Sequence, residues 1–345
     1  KETQNCRDYF EDEPMGSTSP GYFSSLSTNK KIEWVDVSED AKINFPLFKN
    51  GGNNLAEPEN SCLEEEDWLK SLRSDPSPLI EISMKPFWQK HVWLLNQFRL
   101  LQLPHGAGLE AMRIEIRRDH LLEDSFSQVM SMKMGELRRW LRVQFVGESG
   151  IDAGGIEREW FALVSKSLLD PQTGLFLIEK DSGAFGINPS SGVANEMHLE
   201  YFRFAGRILA NLLLEQASIP YLISISILKH LLGSPVSFSD LELIDSELFK
   251  HLCWIKNNSV ENLGLSFTVA SEHFGAMEVT DLIEGGSLVS VTDQNKDDYL
   301  KQILQNRVLG RVEAQIWYLA FGFYEVIPPQ LISVFDYCEL SHLIS

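Results

Sequence analysis

A glycine-rich turn at residues 147–155, with the sequence GESGIDAGG, constrains the fold of this chain more than any other segment. Before it, residues 142–146 alternate polar and apolar side chains. After it, residues 156–169 repeat apolar side chains at helical spacing. A period of two predicts a strand, and a period of 3.6 predicts a helix. Pro171 would clash with a continuing helix and therefore ends it. The segment thus predicts a strand, a tight turn and a helix in direct succession.

The same turn invites comparison with a phosphate-binding loop, and that comparison fails. A phosphate-binding loop needs a lysine after its last glycine, followed by Ser or Thr for magnesium. Here Ile156 and Glu157 follow, and the carboxylate would repel phosphate. Asp152 is placed to cap the free N–H groups of the helix, and the glycines permit positive φ and close packing. We therefore expect a structural role for the turn.

The remaining periodic segments predict a helix-rich α+β fold for residues 79–345. Residues 111–117 alternate apolar and charged side chains, which predicts a half-buried strand. Apolar side chains at helical spacing predict further helices at residues 85–101, 121–134, 198–215 and 300–318.

Residues 1–78 differ in composition from the rest of the chain. They contain 16 acidic and 8 basic residues, a net charge of −8, and a run rich in Ser, Gly and Pro at residues 16–27. Such a segment buries too little apolar surface to offset its conformational entropy, so we expect a mostly disordered linker. A faint similarity to the second half of a WW module lacks the leading Trp and the closing Pro of that module. It rests on Tyr22, Phe23, Thr28 and Trp34.

Charge and cysteine content exclude several classes of protein. The net charge of −19 argues against nucleic acid or an anionic membrane as the main partner, because both require a positive surface. No apolar run reaches the roughly 18 residues that span a bilayer, so no transmembrane segment is expected. The histidines form no metal-binding motif, and no cofactor is expected. Four cysteines without a zinc or disulfide pattern fit a reducing compartment, so we expect a cytoplasmic protein. They are Cys6, Cys62, Cys253 and Cys338.

Further motifs follow the glycine turn in a fixed order. They are GESGIDAGGIEREWF (147–161), GLF (174–176), INPSSG (187–192), HLEYFRFAGR (198–207), FG (274–275), GG (285–286), VTDQNK (291–296), GF (322–323) and IP (327–328). One glycine turn would be weak evidence, but an ordered series over residues 110–340 is specific. The series resembles HECT-type ubiquitin ligases, and it looks closest to the branch whose members carry WW modules.

The resemblance implies a two-lobed enzyme. The larger lobe binds a ubiquitin-conjugating enzyme. The smaller, C-terminal lobe carries a cysteine that accepts ubiquitin as a thioester and passes it to a substrate lysine. None of the four cysteines matches that nucleophile: Cys338 lies in a stretch that resembles the last helix of the larger lobe, and Cys253 is expected to pack. We therefore expect the larger lobe without the catalytic lobe, inactive alone.

The resemblance also implies a docking groove for the conjugating enzyme on a small inserted subdomain, residues 224–298. Three of its positions are spaced i, i+4, i+7 on one helix face, and without the resemblance an ordinary core stripe would be the simpler interpretation. Asn258 stands where some family members have a groove aromatic residue, which leaves the choice of conjugating enzyme open. The matching groove positions are Leu248, Leu252, Ile255, Leu265 and Tyr299.

Some family members also bind a second ubiquitin non-covalently on the larger lobe. Tyr201 and Phe274 match positions of that patch, whereas Thr173 replaces an aromatic residue of it. The resemblance therefore implies weak ubiquitin binding here.

Two other interpretations stay open from the sequence alone. In one, the chain is a non-catalytic protein that binds conjugating enzyme or ubiquitin without transferring it. In the other, it is a helical scaffold unrelated to ubiquitin, and the ordered motifs are a coincidence. The protein substrate cannot be predicted from these residues.

Overall fold

Helices dominate the structure, as the apolar periodicity predicts. The computed structural model describes residues 71–72, 75–102, 111–148, 155–273 and 276–345. Within them, the α-helices are α1 (Ser77–Ser83), α2 (Phe87–Gln102), α3 (Leu121–Ser131), α4 (Met134–Leu137), α5 (Gly155–Leu169), α6 (Ser191–Ala194), α7 (His198–Leu214), α8 (Ile225–Leu231), α9 (Leu241–Ile244), α10 (Ser246–Asn257), α11 (Lys296–Gln305), α12 (Glu313–Val326), α13 (Pro329–Ile332) and α14 (Tyr337–Ile344). The strands are β1 (Met112–Ile116), β2 (Leu141–Phe145), β3 (Phe176–Ile178), β4 (Phe185–Ile187), β5 (Thr268–His273) and β6 (Ala276–Asp281). They form two-stranded sheets, which confirms the helix-rich α+β class.

The predicted elements around the glycine turn are confirmed. The bounds of α2, α5 and α7 agree with the prediction to within two residues, and β1 and β2 to within one. The predicted helix at residues 121–134 is shorter: α3 ends at Ser131, Met132 is extended, and α4 follows as a single turn. The predicted linker at residues 1–78 lies almost entirely outside the described residues.

The predicted helix at residues 300–318 is wrong, because the segment contains two helices and a wide turn. α11 ends at Gln305, and the π-helical turn Asn306–Gly310 follows it. The Arg311 N–H then bonds the Asn306 carbonyl five residues back, and Val312 leaves the helical region with φ −133°. Such insertions shift the hydrogen-bond register of a helix without breaking its apolar pattern, so periodicity does not reveal them.

β1 and β2 form a parallel pair beneath α3 and α5. Ile114 pairs with Val143, and the apolar side chains of both strands are buried on one face. Gln128 on α3 closes the outer edge of β1: its Oε1 accepts from the Glu115 N–H at 3.1 Å, and its Nε2 donates to the Glu115 carbonyl at 2.5 Å. A side-chain amide thus takes the place of a neighbouring strand.

The crossing of α7 and α12 forms the centre of the body of the protein, and two glycines permit it. A Cβ on Gly206 would lie 2.0 Å from the Leu319 carbonyl oxygen, and one on Gly322 would lie 1.9 Å from the Arg203 carbonyl oxygen. Both distances are far below van der Waals contact. The two helices therefore meet backbone to backbone, and both glycines belong to motifs singled out in the sequence.

A buried ion cluster joins the same two helices. Arg207 on α7 binds the Glu325 carboxylate on α12 through two hydrogen bonds of 2.7 and 2.9 Å. Arg203 adds two more, of 3.1 and 2.6 Å. The third Arg207 nitrogen, Nη1, donates to the Val129 carbonyl at the end of α3 at 2.7 Å. Burial alone would raise the pKa of Glu325, but the two guanidinium groups lower it, so the carboxylate stays charged.

We use "small subdomain" for residues 246–305, which comprise α10, the β5–β6 hairpin and α11. The other described residues form what we call the body. The helix α8, which falls inside the predicted range 224–298, packs against α12 and α14 of the body. At the boundary the Arg307 Nε donates to the Asp245 Oδ2 at 3.1 Å. The Ser226 hydroxyl donates to the Val308 carbonyl at 3.2 Å. These contacts fix the point where the small subdomain joins the body.

Candidate partner-binding site

Helix α10 carries three of the predicted groove residues. Asp245 caps its start, because the Asp245 Oδ1 accepts a hydrogen bond from the Leu248 N–H at 3.0 Å. Leu252 is buried, with only 1% of its surface exposed, while Leu248 and Ile255 are half-buried. The stripe is therefore not the fully exposed face that the sequence suggested. Leu252 belongs to the core of the small subdomain, whereas Leu248 and Ile255 are partly exposed at the surface of the small subdomain.

Tyr299 and Leu265 belong to the segments beside α10. α11 packs against α10, and Tyr299 on α11 is buried with its ring edge-to-face against Phe267, at a centroid distance of 5.4 Å. Burial raises the pKa of the Tyr299 hydroxyl. Leu265 is half-buried, and its carbonyl accepts from the Val291 N–H at 2.8 Å. Two of the five predicted groove residues are thus core residues, and the contact role of all five stays a prediction.

Two exposed apolar residues of the small subdomain escaped the sequence prediction. Trp254 on α10 and Leu263 in the loop after it each expose about half of their surface to solvent. Trp254 follows Glu247 and Lys250 at helical spacing, so it lies on the polar side of an amphipathic helix. A tryptophan among charged residues is the signal that could have identified it.

A hydrogen-bond network holds the loop after α10 against the loop before α11. The Asp293 carboxylate accepts from the Ser259 hydroxyl at 2.7 Å and from the Val260 N–H at 2.9 Å. Lys296 donates to the Asn258 carbonyl at 2.9 Å. The hydrogen bonds, from Ser259 first, lower the pKa of Asp293, so it accepts them as a carboxylate at neutral pH. The two loops at the ends of the groove helices are therefore fixed relative to each other.

The predicted ubiquitin patch is described only in part. Tyr201 on α7 is half-buried, and its ring stacks on Phe126 of α3 at a centroid distance of 4.3 Å. Burial, and then the Glu123 carboxylate, raise the pKa of Tyr201. The Thr173 hydroxyl donates to the Asp170 carbonyl at 2.8 Å, which closes the turn after α5. Phe274 lies outside the described residues, and the patch stays a prediction.

Arg118 fixes the start of the glycine turn. Its guanidinium lies 3.9 Å from the Phe145 ring centroid, binds Glu148 in the turn and donates to the Glu159 Oε1 on α5 at 2.7 Å. Gly147 has φ +87°, a conformation that glycine adopts without strain. At the described start of the turn, Arg118 is thus engaged by the Glu148 and Glu159 carboxylates, in agreement with a structural role. Asp152 lies outside the described residues.

The described cysteines lie in the environments expected of non-catalytic thiols. Cys253 is half-buried on α10, and burial raises the pKa of its thiol, which disfavours the nucleophilic thiolate. Cys338 is exposed in the first turn of α14, which confirms that it lies in a helix. Cys6 and Cys62 lie outside the described residues. In the part of the chain that the structure describes, no His, Cys, Asp and Glu cluster could hold a metal ion. No helix there is long and apolar enough to cross a bilayer.

Comparison with known proteins defines the class. Residues 162–345 match the family described as HECT-domain (ubiquitin-transferase). The mouse E3 ubiquitin-protein ligase HUWE1 is 37% identical over 71% of this chain and 6% of its own length. Human HECW1 is 41% identical over 73% of the chain and 16% of its own length. Human NEDD4 is 37% identical over 67% of the chain and 18% of its own length.

The chain belongs to the HECT family of ubiquitin-transferases, because the family match covers more than half of it. The resemblance read from the ordered motifs is thereby confirmed, and an unrelated helical scaffold is excluded. The presence of NEDD4 and HECW1 among the relatives is consistent with the predicted likeness to the branch with WW modules. The matched part spans less than a fifth of the length of each of these relatives.

Proposed function

We propose that this chain is the conjugating-enzyme-binding lobe of a HECT-type ubiquitin ligase, and that its small subdomain docks a ubiquitin-loaded conjugating enzyme. The observation that carries the proposal is the surface of α10, where Leu248 and Ile255 are half-buried on the apolar side and Trp254 is exposed on the polar side of the same helix. An exposed tryptophan and partly exposed aliphatic side chains on one surface helix are typical of the anchor residues of a protein interface.

The chemistry that docking would serve is two successive acyl transfers. In the first, the thiolate of a ligase cysteine attacks the thioester carbonyl that joins ubiquitin to the conjugating enzyme, and the thiolate of that enzyme leaves. In the second, a substrate lysine amine attacks the new thioester, loses a proton and forms an amide while the ligase thiolate leaves. The first step needs a reachable thiolate as nucleophile, and in the second step that thiolate is the leaving group. The lobe contributes by holding the loaded enzyme in place.

None of the cysteines of this chain is proposed as that nucleophile. Burial keeps the Cys253 thiol protonated, and Cys338 follows the Asp336 cap of α14, where Glu339 is also close. We expect no ubiquitin thioester on this chain when it is mixed with a loaded conjugating enzyme. A non-reducing gel with and without a thiol reductant tests this, and a reductant-sensitive adduct on any of the four cysteines would contradict it.

Titration of a ubiquitin-loaded conjugating enzyme tests the docking proposal. Trp254→Ala and Ile255→Ala remove anchor side chains, and each is expected to weaken binding by roughly 1 to 2 kcal/mol, or about five- to thirtyfold. Val193→Ala, an exposed apolar residue on α6 of the body, is the matched control and is expected to leave affinity unchanged. Unchanged affinity in both groove variants would show that docking occurs elsewhere.

Ubiquitin alone is proposed as a weak second ligand at Tyr201. The stacked pair of Tyr201 and Phe126 offers an aromatic surface. Thr173 stands where other family members have an aromatic residue of this patch, so the aromatic surface is smaller here. Tyr201→Ala is therefore expected to abolish the chemical-shift changes that free ubiquitin undergoes with the wild-type chain. Persistence of those changes in the variant would assign ubiquitin binding to another surface.

A further inference from the structure

The β5–β6 hairpin displays a row of apolar side chains that the proposed groove does not use. Met277 and Val279 are alternate residues of β6, so they share one face of the hairpin. They expose 67% and 64% of their surface. Leu288, in the 3₁₀ turn after the hairpin, exposes 90%, the largest value among the exposed apolar residues of the described chain.

The turn that carries Leu288 lies beside the same face. Asp281 continues the row of Met277 and Val279 along β6, and its Oδ1 accepts a hydrogen bond from the Ser287 N–H at 3.0 Å. Leu288 is the next residue. The three apolar residues, which we call the hairpin row, therefore lie on exposed segments that this hydrogen bond holds next to each other.

Close backbone packing makes the turn rigid. A Cβ on Gly286 would lie 2.3 Å from the Phe267 carbonyl oxygen, and Gly285 has φ +69°, in the left-handed region. The Leu282 N–H also donates to the Phe267 carbonyl at 2.8 Å. Leu288 therefore lies on a rigid loop, which reduces the conformational entropy lost on binding.

The hairpin row lies on the side of the hairpin away from Tyr299. Val279 pairs with Ala270, so Met277 and Val279 share their face of the hairpin with Ala270. Phe267, just before β5, has the opposite parity, and its ring packs on Tyr299. A partner on the hairpin row would therefore not compete directly for the groove at Tyr299.

The charge around the row selects for a basic partner. Residues 257–295 contain six acidic residues and neither Lys nor Arg. Asp281, on the same face of β6 as Met277 and Val279, and Glu284, in the loop between β6 and the 3₁₀ turn, are both exposed. Neighbouring exposed apolar residues are typical of binding sites, and the carboxylates here favour a partner that carries cations.

We propose that the hairpin row docks an apolar, lysine-rich segment of the protein that receives ubiquitin. The proposal rests on the proposed ligase function, because the acceptor of ubiquitin is a lysine amine and a lysine-rich segment brings several such amines to the lobe. Leu, Ile or Val side chains of the segment cover Met277, Val279 and Leu288, and its lysines face Asp281 and Glu284.

Three synthetic peptides of equal length test the proposal on the full chain: an amphipathic Lys/Leu helix, its Glu/Leu counterpart and a Lys/Ser peptide of the same charge. Only the Lys/Leu peptide is expected to bind well, and a higher salt concentration should weaken its binding. The double variant V279S/L288S should lose about tenfold in affinity, which corresponds to about 1.4 kcal/mol. Val193→Ser on α6, where Val193 is 73% exposed, should bind the peptide as the wild type does.

Equal binding of the Lys/Ser peptide would assign the effect to the net charge of the whole chain and overturn the proposal. So would unchanged Lys/Leu affinity in the double variant. The same variant must keep its affinity for the loaded conjugating enzyme, since a loss there would assign the row to that enzyme instead. Ile255→Ala, which tests the groove, must leave peptide binding unchanged, so the two proposals fail separately.

Discussion

The body of the protein and its small subdomain are built in opposite ways. In the body, α7 and α12 meet backbone to backbone at Gly206 and Gly322, and the buried ion pair of Arg207 and Glu325 also joins them. In the small subdomain, two helices and a two-stranded hairpin surround a thin core, and apolar residues such as Trp254 and Leu288 face solvent. Exposed apolar side chains occur in both parts, with Trp88 and Val193 among them in the body, but those of the subdomain lie on the elements for which we propose partner docking.

Several family motif residues of the body are engaged in contacts within it. Asn188 donates to the Gly174 carbonyl at 2.7 Å, and the Ser191 hydroxyl lies 2.9 Å from the His198 ring. Trp160 donates to the Ser125 hydroxyl at 2.9 Å in the core. These motif residues thus stabilise the body from within.

The largest expected effect is that of Gly322→Ala. The added Cβ would meet the Arg203 carbonyl at 1.9 Å, so the two helices must separate, and we expect a loss of roughly 3 kcal/mol or more in the free energy of unfolding. Gly135→Ala on α4 is the control, because nothing lies within 4 Å of its Cβ position. It should change stability by less than about 1 kcal/mol, and in the favourable direction. Equal effects of both changes in denaturant unfolding would refute tight packing of the crossing.

Arg207→Met is expected to cost about 3 kcal/mol, because it removes one partner of a buried ion cluster and leaves the Glu325 carboxylate with Arg203 alone. Arg117→Met breaks an exposed ion pair with Asp124, and such pairs contribute little. Thermal unfolding of both variants compares them. If the Arg117 change lowered the melting temperature as much as the Arg207 change, the cluster would not be what holds α7 to α12.

Glu215→Gln should change how stability depends on pH. Burial first, and then the Glu157 carboxylate, raise the pKa of Glu215 to about 7, while the Leu141 N–H and Arg142 oppose this. The folded protein then holds a proton that the unfolded chain releases near its usual pKa of about 4.3, so wild-type stability falls as pH rises from about 4.5 to about 7. Between pH 5 and 8 this effect should lower the free energy of unfolding of the wild type by roughly 2 kcal/mol. The Gln variant should not show this decrease.

Asp293→Asn in the small subdomain is the control for that pH series. The pKa of Asp293 is lowered, so its stabilisation is present above its ordinary pKa and is lost only in more acidic solution. Asp293→Asn should therefore leave the pH dependence of the free energy of unfolding unchanged between pH 5 and 8. Parallel curves for the wild type and Glu215→Gln over that interval would contradict the assignment to Glu215.

The smallest expected effect belongs to Leu288→Ser. Because 90% of the Leu288 surface is already exposed, the free energy of unfolding should change by less than about 0.5 kcal/mol. Chemical unfolding monitored by circular dichroism measures it. A loss above about 1 kcal/mol would show that Leu288 packs in the fold and is not available for docking.

The sequence predicted the elements whose signals are local, and it missed features that depend on hydrogen-bond register or on neighbouring elements. Helices such as α5 begin at a glycine turn and end before Pro171, and those signals are local. The π-helical turn Asn306–Gly310 shifts hydrogen bonds without a change in apolar pattern, so a single helix was predicted. The i, i+4, i+7 spacing placed Leu252 on a helix face, but spacing does not show which neighbour covers that face. Here the face packs within the subdomain, and Trp254, off the stripe, is exposed.

Amide hydrogen exchange with and without a ubiquitin-loaded conjugating enzyme tests the central claim most directly, because it reports on the body and the small subdomain of the intact chain at once. We expect added protection along α10 and at the start of α11, with the α7–α12 crossing, already strongly protected, unchanged. Added protection confined to the body, with none on α10 or α11, would contradict the claim that the small subdomain docks the conjugating enzyme.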